Sequence, residues 1–214
     1  MHDLVLLVPT SDFIEDQFVI PNLNMEVLAS WVRKYNPGIK IAVEHMSHIN
    51  TLHEISLAKF YGITFTTPQF LKAKELYNFL RKNRSDSLVV AGGPHVSAVP
   101  SEKSVGVVCD VVCRGAGEIF LEALINRYQE SPEDRFYDPP SSSLYEDVEF
   151  SFDFNPNLYK NWLLVTDYGC PYSCSFCFKT FKKGVYRFPY SFVYNQIDLR
   201  GDSVLTPAST RIRR

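Results

Sequence analysis

Short uninterrupted apolar runs alternate with amphipathic stretches over the first 130 residues. Leu4-Val5-Leu6-Leu7-Val8 is such a run, the pattern of a parallel strand buried on both faces. Met25, Leu28, Ala29, Val32 and Tyr35 then recur at helical spacing until Pro37-Gly38 stops them. Ile39 to Val43 predicts a second strand and Phe60 to Phe65 a third. After Pro68, the residues Phe70, Leu71, Lys74, Leu76, Tyr77 and Leu80 fit an amphipathic helix with proline near its first turn. Leu88 to Ala91 predicts a fourth strand ending in Gly92-Gly93, Asp110 to Cys113 a fifth, and Ile119 to Tyr128 a closing helix. Parallel strands need crossover connections, so this alternation predicts an α/β fold with a doubly wound parallel sheet. Ligands of such sheets sit at the carboxyl ends of strands. The turns that matter are therefore Pro9-Thr10-Ser11, Thr66-Thr67, Gly92-Gly93-Pro94-His95 and Arg114 to Glu118.

The pattern changes at residue 131. Prolines 132, 139, 140 and 156, a Ser141-Ser142-Ser143 run and many acids mark 131–160 as a linker. Its aromatics, among them Phe136, Tyr137, Tyr145 and Phe150, predict that it packs on a surface. Periodicity resumes at Trp162-Leu163-Leu164-Val165-Thr166, a predicted strand, and a helix is expected from Ser191 to Leu199. Ser203-Val204-Leu205 would begin a further strand. The domains expected are thus 1–130, a linker 131–160, and 161–214.

Composition narrows the classes. The 214 residues are 45% hydrophobic and 21% charged, with a formal charge of −2, the balance of a globular protein with a real core. That balance argues against a nucleic-acid coat, although eight Lys/Arg and two acids fall between Lys179 and Arg214. No apolar run approaches the roughly 20 residues of a membrane span. Met1-His2-Asp3 lacks the flank of a signal peptide, so a cytoplasmic protein is expected. Its five cysteines then read as thiols or metal ligands rather than a disulfide framework.

Three of those thiols, Cys170, Cys174 and Cys177, lie at C-x3-C-x2-C spacing directly after the predicted strand. Thiolate softness favours iron–sulfur or zinc. Structural zinc closes four ligands, usually as two pairs, and a ferredoxin cluster also takes four cysteines. No further Cys or His follows Cys177. Three thiolates on a four-iron cube would leave one iron open. A zinc knuckle, or incidental cysteines in a turn, is the alternative. Elsewhere, Cys109 and Cys113 are expected to behave as buried apolar residues. His45, His48 and His53 are read as a solvated loop, and Glu118 as a first-turn carboxylate favoured by the helix dipole.

The form Gly169-Cys170-Pro171 … Cys174-Ser175-Phe176-Cys177 resembles the radical S-adenosylmethionine (SAM) superfamily. The resemblance implies that Cys170, Cys174 and Cys177 hold a 4Fe–4S cluster, that SAM chelates the open iron, and that Phe176 packs near cluster and adenine. Val89 to His95, with its "GGPH" turn, and Asp110 to Glu118 resemble the cobalamin-binding domain that precedes many radical SAM cores. Pro21 to Trp31 is similar to that family's first helix. By this resemblance Thr66, Thr67, Gly92, Gly93, Pro94, His95 and Gly115 would contact cobalamin. The His-on pattern D-x-H-x-x-G has no match after the first strand, so the cobalamin would be His-off. The implied whole is a cobalamin-dependent radical SAM enzyme, a methyltransferase or cyclase-type catalyst. It would cleave SAM reductively, with a small-molecule substrate and a reductant such as flavodoxin or ferredoxin. About 55 residues follow Asn161, whereas a radical SAM partial barrel needs roughly 200 on the scale of α/β barrels. The expectation is therefore an incomplete core that lacks a complete active site on its own. The alternative is a non-catalytic cobalamin/iron–sulfur module that needs a partner. An RNA-modifying methylthiotransferase-like enzyme fits less well, because its first domain would carry further cysteines.

Overall fold

The structure is a computed structural model. It describes residues 1–99, 108–126, 136–137, 140–146, 148–149, 151, 153, 158–161, 163–172, 174–177 and 184–199. Five parallel strands form the central sheet: β1 (His2–Val8), β2 (Ile41–His45), β3 (Ala58–Thr64), β4 (Leu88–Gly92) and β5 (Val111–Val112). Their order is β2-β1-β3-β4-β5. β1 pairs with β2 from Leu4↔Ile41 to Val8↔His45, and with β3 from His2↔Ala58 to Leu7↔Ile63. The chain leaves β1 toward β2 and returns past it to β3, so the topology switches between the carboxyl ends of β1 and β3.

The alternation within β1 separates two cores. Leu4, Leu6 and Val8 pack with Val27, Leu28 and Trp31 of α1 (Leu23–Tyr35) and with Phe120, Leu121 and Leu124 of a later helix (Gly117–Asn126). Val5 and Leu7 face the other way, onto Ala73, Leu76 and Leu80 of α2 (Phe70–Asn83). Each fully buried aliphatic side chain contributes about 1.5–3 kcal/mol. Because both faces need such cover, the buried part of β1, Leu4 to Val8, is apolar throughout. The doubly wound parallel sheet is as the sequence predicts.

Boundaries differ from expectation in informative places. The second strand runs Ile41–His45 rather than from Ile39, because Asn36 closes α1 and Gly38, at φ 87°, turns the chain before the sheet is reached. A short helix, α3 (Pro94–Ala98), follows Gly93 directly. The next strand, β6 (Arg114–Gly115), leaves the main sheet and pairs with β7 (Phe136–Tyr137) before α4 (Gly117–Asn126). Residues 127–128 of the predicted closing helix and the predicted strand at Ser203-Val204-Leu205 lie outside the described residues.

The strand expected at 162–166 is displaced. β8 is Asp167–Cys170, paired antiparallel with β9 (Gly184–Arg187) from Asp167↔Arg187 to Cys170↔Gly184. Hairpin pairing, not an apolar run, defines it, so periodicity pointed to the wrong residues. The helix α5 (Tyr190–Asp198) falls one residue before its predicted span. No helix among the described residues is long and apolar enough to cross a membrane.

Where it is described, the span 131–160 packs on the first domain: Tyr137, Tyr145 and Val148 join the first core, Tyr159 is buried against His45 and His48, and Phe150 lies outside the described residues. A polar latch holds its middle. Arg33 Nη2 donates to both Asp153 carboxylate oxygens at 2.7 Å, and the Val43 N–H donates to Asp153 Oδ2 at 2.7 Å. The Asp153 N–H donates to Glu26 Oε2, and that of Ser151 to Ser30 Oγ, both at 3.2 Å. β2 is a sheet edge, so Asp153 occupies an edge donor that would otherwise invite pairing. Charged hydrogen bonds of this kind contribute about 1.5–3 kcal/mol when buried, less at a partly exposed site. Asp153→Ala is expected to lower unfolding stability by about 1–2 kcal/mol in urea titration.

Candidate functional site

Among the clefts that the described residues line at the carboxyl ends of the strands, two adjoin each other. The smaller, about 250 Å³, lies between the ends of β3 and β4 and the helices α1 and α4. Its walls are backbone-rich, with Gly62, Gly92, Gly93, Gly115 and Gly117, and its apolar floor includes Leu6, Val90, Leu28 and Leu121. Two of these glycines have different reasons. Gly93 sits at φ +93°, and a Cβ there would lie 2.6 Å from Thr64 Oγ1, so the turn itself requires glycine. A Cβ on Gly92 would meet Cys113 only at ordinary distances of 3.6–3.7 Å. The backbone thus has room for a Cβ at 92, and Gly92 lines the cleft without one.

Among the described residues, Glu118 is the one charged residue lining this cleft. It does open α4, as predicted, but it is also buried, and its Oε1 accepts a 2.7 Å hydrogen bond from the Tyr145 hydroxyl. Cys113 lines the same cleft; burial, then the Glu118 charge, pushes its thiol pKa up. Cys109 is likewise buried and pushed up to about 12 by desolvation. Both behave as the apolar residues expected.

The larger cleft, about 800 Å³, is lined by Pro9 to Ser11, by the start of α1, by Thr66 and Gln69, and by Leu163 to Asp167. It therefore joins the sheet's carboxyl edge to the residues leading into the cysteine strand. Of the residues singled out by sequence, Gly92, Gly93, Pro94 and Gly115 line the smaller cleft, and Thr66 and Pro94 the larger. Thr67 and His95 line neither. They pair with each other, Oγ1 to Nδ1 at 3.0 Å, while the His95 ring packs on Phe65 and Phe70. Burial lowers the His95 pKa. Sequence reasoning missed Gln69, whose amide donates to Pro9 O at 2.6 Å and accepts from the Thr66 N–H at 2.9 Å. The spacing Thr66-x-x-Gln69 is a capping-box signature that could have found it.

The histidines overturn an expectation. His45 is not in a solvated loop: it ends β2, is only 4% exposed, and lines the larger cleft. Its Nε2 is 3.4 Å from Glu26 Oε1 and its Nδ1 3.3 Å from the Tyr159 hydroxyl, which also lies 3.3 Å from His48 Nε2. His48 stacks on Phe18 at 5.3 Å, and His53 sits edge-on to Phe79. The linker's Tyr159 and the loop after β1 supply this cover, which local sequence does not reveal. Desolvation pushes the His45 pKa down to about 4, opposed by the Asp153 charge. Burial, then the Asp153 carboxylate, holds the Glu26 carboxyl well above its usual range. Both shifts favour the uncharged form of each group.

Cys170 ends β8, after Gly169 at φ 92°, and the Cys177 N–H donates to Cys174 O at 3.1 Å in a turn. All three thiols are exposed, as is Phe176 at 90%. Their softness and accessibility fit a thiolate-ligated metal group. Among the described residues, however, no three His, Cys, Asp or Glu side chains are gathered closely enough to hold a metal ion. Ser173 lies outside the described residues.

Comparison with known proteins agrees with the fold. Residues 17–125 match the profile of the B12 binding domain. The chain is 27% identical, over 86% of its length, to an uncharacterized methyltransferase of Pyrococcus horikoshii, of which the match covers 46%. Among solved structures it resembles the radical S-adenosylmethionine methyltransferase TsrM from Kitasatospora setae, solved with tryptophan substrate and a SAM analogue. That likeness has a TM-score of 0.66 at 17% identity and covers 92% of this chain and 45% of that one. The chain thus spans slightly under half the length of each relative.

The buried histidine carries a pH prediction. A folded-state pKa near 4 against 6.5 unfolded means stability is present above pH 6.5 and lost as pH falls toward 4. The loss over that window is about 2–3 kcal/mol. Glu26 has the opposite sign, its contribution fading as pH rises above the usual carboxylate range. Urea titrations from pH 7 to 4 are therefore expected to show a shallower decline in His45→Gln than in the unaltered chain.

Proposed function

The chain belongs to the B12 binding domain family, and from that premise we propose that it is the cofactor-binding portion of a cobalamin-dependent radical SAM methyltransferase. The observation that carries this reading is the backbone-walled apolar cleft at the strand ends. Its glycine at 92 is not demanded by the protein's own packing. That volume suits the nucleotide tail of a cobalamin, which needs close approach to backbone. The adjoining larger cleft would receive the corrin between the sheet and Leu163 to Asp167. Both ring nitrogens of His45 already face protein partners, which supports a His-off cofactor. The relatives' names, both methyltransferases, favour methyl transfer over a cyclase outcome.

Cys170, Cys174 and Cys177 would hold a 4Fe–4S cluster on their exposed loop, with SAM on its open iron and Phe176 beside it. When bound, cobalamin would supply a transferable methyl group, and the cluster with SAM a one-electron route to a radical. The chain's own residues bind and shape. Gly93 sets the turn at the cleft, Gly92 and Gly115 would leave room for the cofactor, and Thr66 and Pro94 border the larger cleft. Substrate, reductant and turnover are assigned to the whole enzyme, of which this chain matches about half the length.

Titration with hydroxocobalamin is expected to give a base-off absorption spectrum. Gly92→Ala should weaken binding by about tenfold, near 1.4 kcal/mol, while leaving unfolding stability unchanged. Gly93→Ala, strained at positive φ, should instead lower stability. Unaltered affinity in Gly92→Ala would remove this cleft from the binding reading. Separately, anaerobic reconstitution with iron and sulfide should load about four irons per chain and fail in Cys174→Ala. Stoichiometric zinc without iron would overturn the cluster assignment.

A further inference from the structure

Gln196 is fully buried on α5, an unusual place for a polar side chain. Its Oε1 accepts from the Val165 N–H at 2.9 Å and its Nε2 donates to Val165 O at 2.9 Å. One side chain thus pairs with both polar groups of a single residue, as a neighbouring strand would. Residues 163–166 lie in no β-ladder, so this pairing and the 2.9 Å bond from the Phe188 N–H to Thr166 O hold the segment instead. Val165 is five residues before Cys170.

The helix that carries Gln196 is itself anchored. Phe192 is 1% exposed and packs on Phe188 and Tyr145, at 4.8 and 5.6 Å between ring centroids. Tyr145 in turn lies against Trp31 of α1 at 4.8 Å and bonds Glu118 at the smaller cleft. A continuous set of buried contacts therefore runs from the sheet domain to Gln196, and the amide passes it to the backbone entering β8.

We propose that Gln196 is a positioning residue that sets the cysteine-bearing strand against the cofactor domain. The chemistry required is narrow. An amide of this length presents one acceptor and one donor side by side. Leucine fills the volume and offers neither. An ionised glutamate could accept from the Val165 N–H but would set a carboxylate against Val165 O. Protonated, its carboxyl again offers both an acceptor and a donor.

The test is residue-resolved hydrogen exchange on the full chain, with iron uptake as a second readout. The iron readout rests on the proposed cofactor reading; the exchange readout does not. In Gln196→Leu, exchange of the Val165 amide should accelerate about tenfold or more and spread to Asp167–Cys170. Amides of His2–Val8 should keep their protection. Gln196→Glu should show protection at Val165 near pH 5 that is lost by about pH 8, after correction for intrinsic rates. Iron loading should fall in Gln196→Leu relative to the unaltered chain. Unchanged exchange over 165–170, or equal loss across His2–Val8, would overturn the proposal. If the unaltered chain takes up no iron while the exchange pattern holds, the cluster reading fails and the positioning role stands.

Discussion

Everything in this chain depends on a parallel sheet that must be covered on both faces. β1 lies inside it, and its residues alternate between two cores that share no side chain. Parallel pairing forces each connection across a face, so α1 and α2, which bury the sheet, are also crossovers, while α4 adds cover after the sheet's last strand. The reversal of direction between β1 and β3 then separates the loops at their carboxyl ends. Both clefts open at that edge. The geometry of the clefts is a consequence of how the sheet is buried.

A second layer of organisation is polar. Glu26 and Ser30, buried on α1, and the partly exposed Arg33 reach the linker, meeting Asp153, Ser151 and, through His45, Tyr159. Buried polar groups are costly unless partnered, so such a set specifies where the linker lies more strictly than apolar packing would. The aromatic cluster of Trp31, Tyr145, Phe188 and Phe192 adds area, and Gln196 adds direction. The cysteine segment is thereby tied to the sheet through linker residues, although those residues lie between the two in sequence.

The parts visible in sequence were those whose signal is local. Leu4 to Val8 reads as a doubly buried strand because its own side chains fill both cores. Gly93 reads as a turn because its own φ demands glycine. Glu118 was placed correctly at a helix start, and Cys109 and Cys113 correctly inside. What escaped were groups whose meaning lies in a distant partner. Local sequence places His45 in a solvated loop because Tyr159, which covers it, is 114 residues away. β8 was placed too early because its partner β9, and not its own hydropathy, makes Asp167–Cys170 a strand.

The sequence by itself therefore determined the fold class, the strands of the sheet, the turn glycines and the cysteine motif with its family resemblance. Each is encoded by short-range periodicity, backbone stereochemistry or residue spacing. Only the tertiary structure decided that Gly92 clears a cleft while Gly93 holds a turn, and that His95 turns to Thr67 and lines neither cleft. It alone showed His45 and Glu26 as a buried pair, and Gln196 taking the place of a strand beside Val165. The reason is physical: burial and hydrogen-bond satisfaction belong to pairs of groups, and the chain brings those pairs together across separations that no local pattern records.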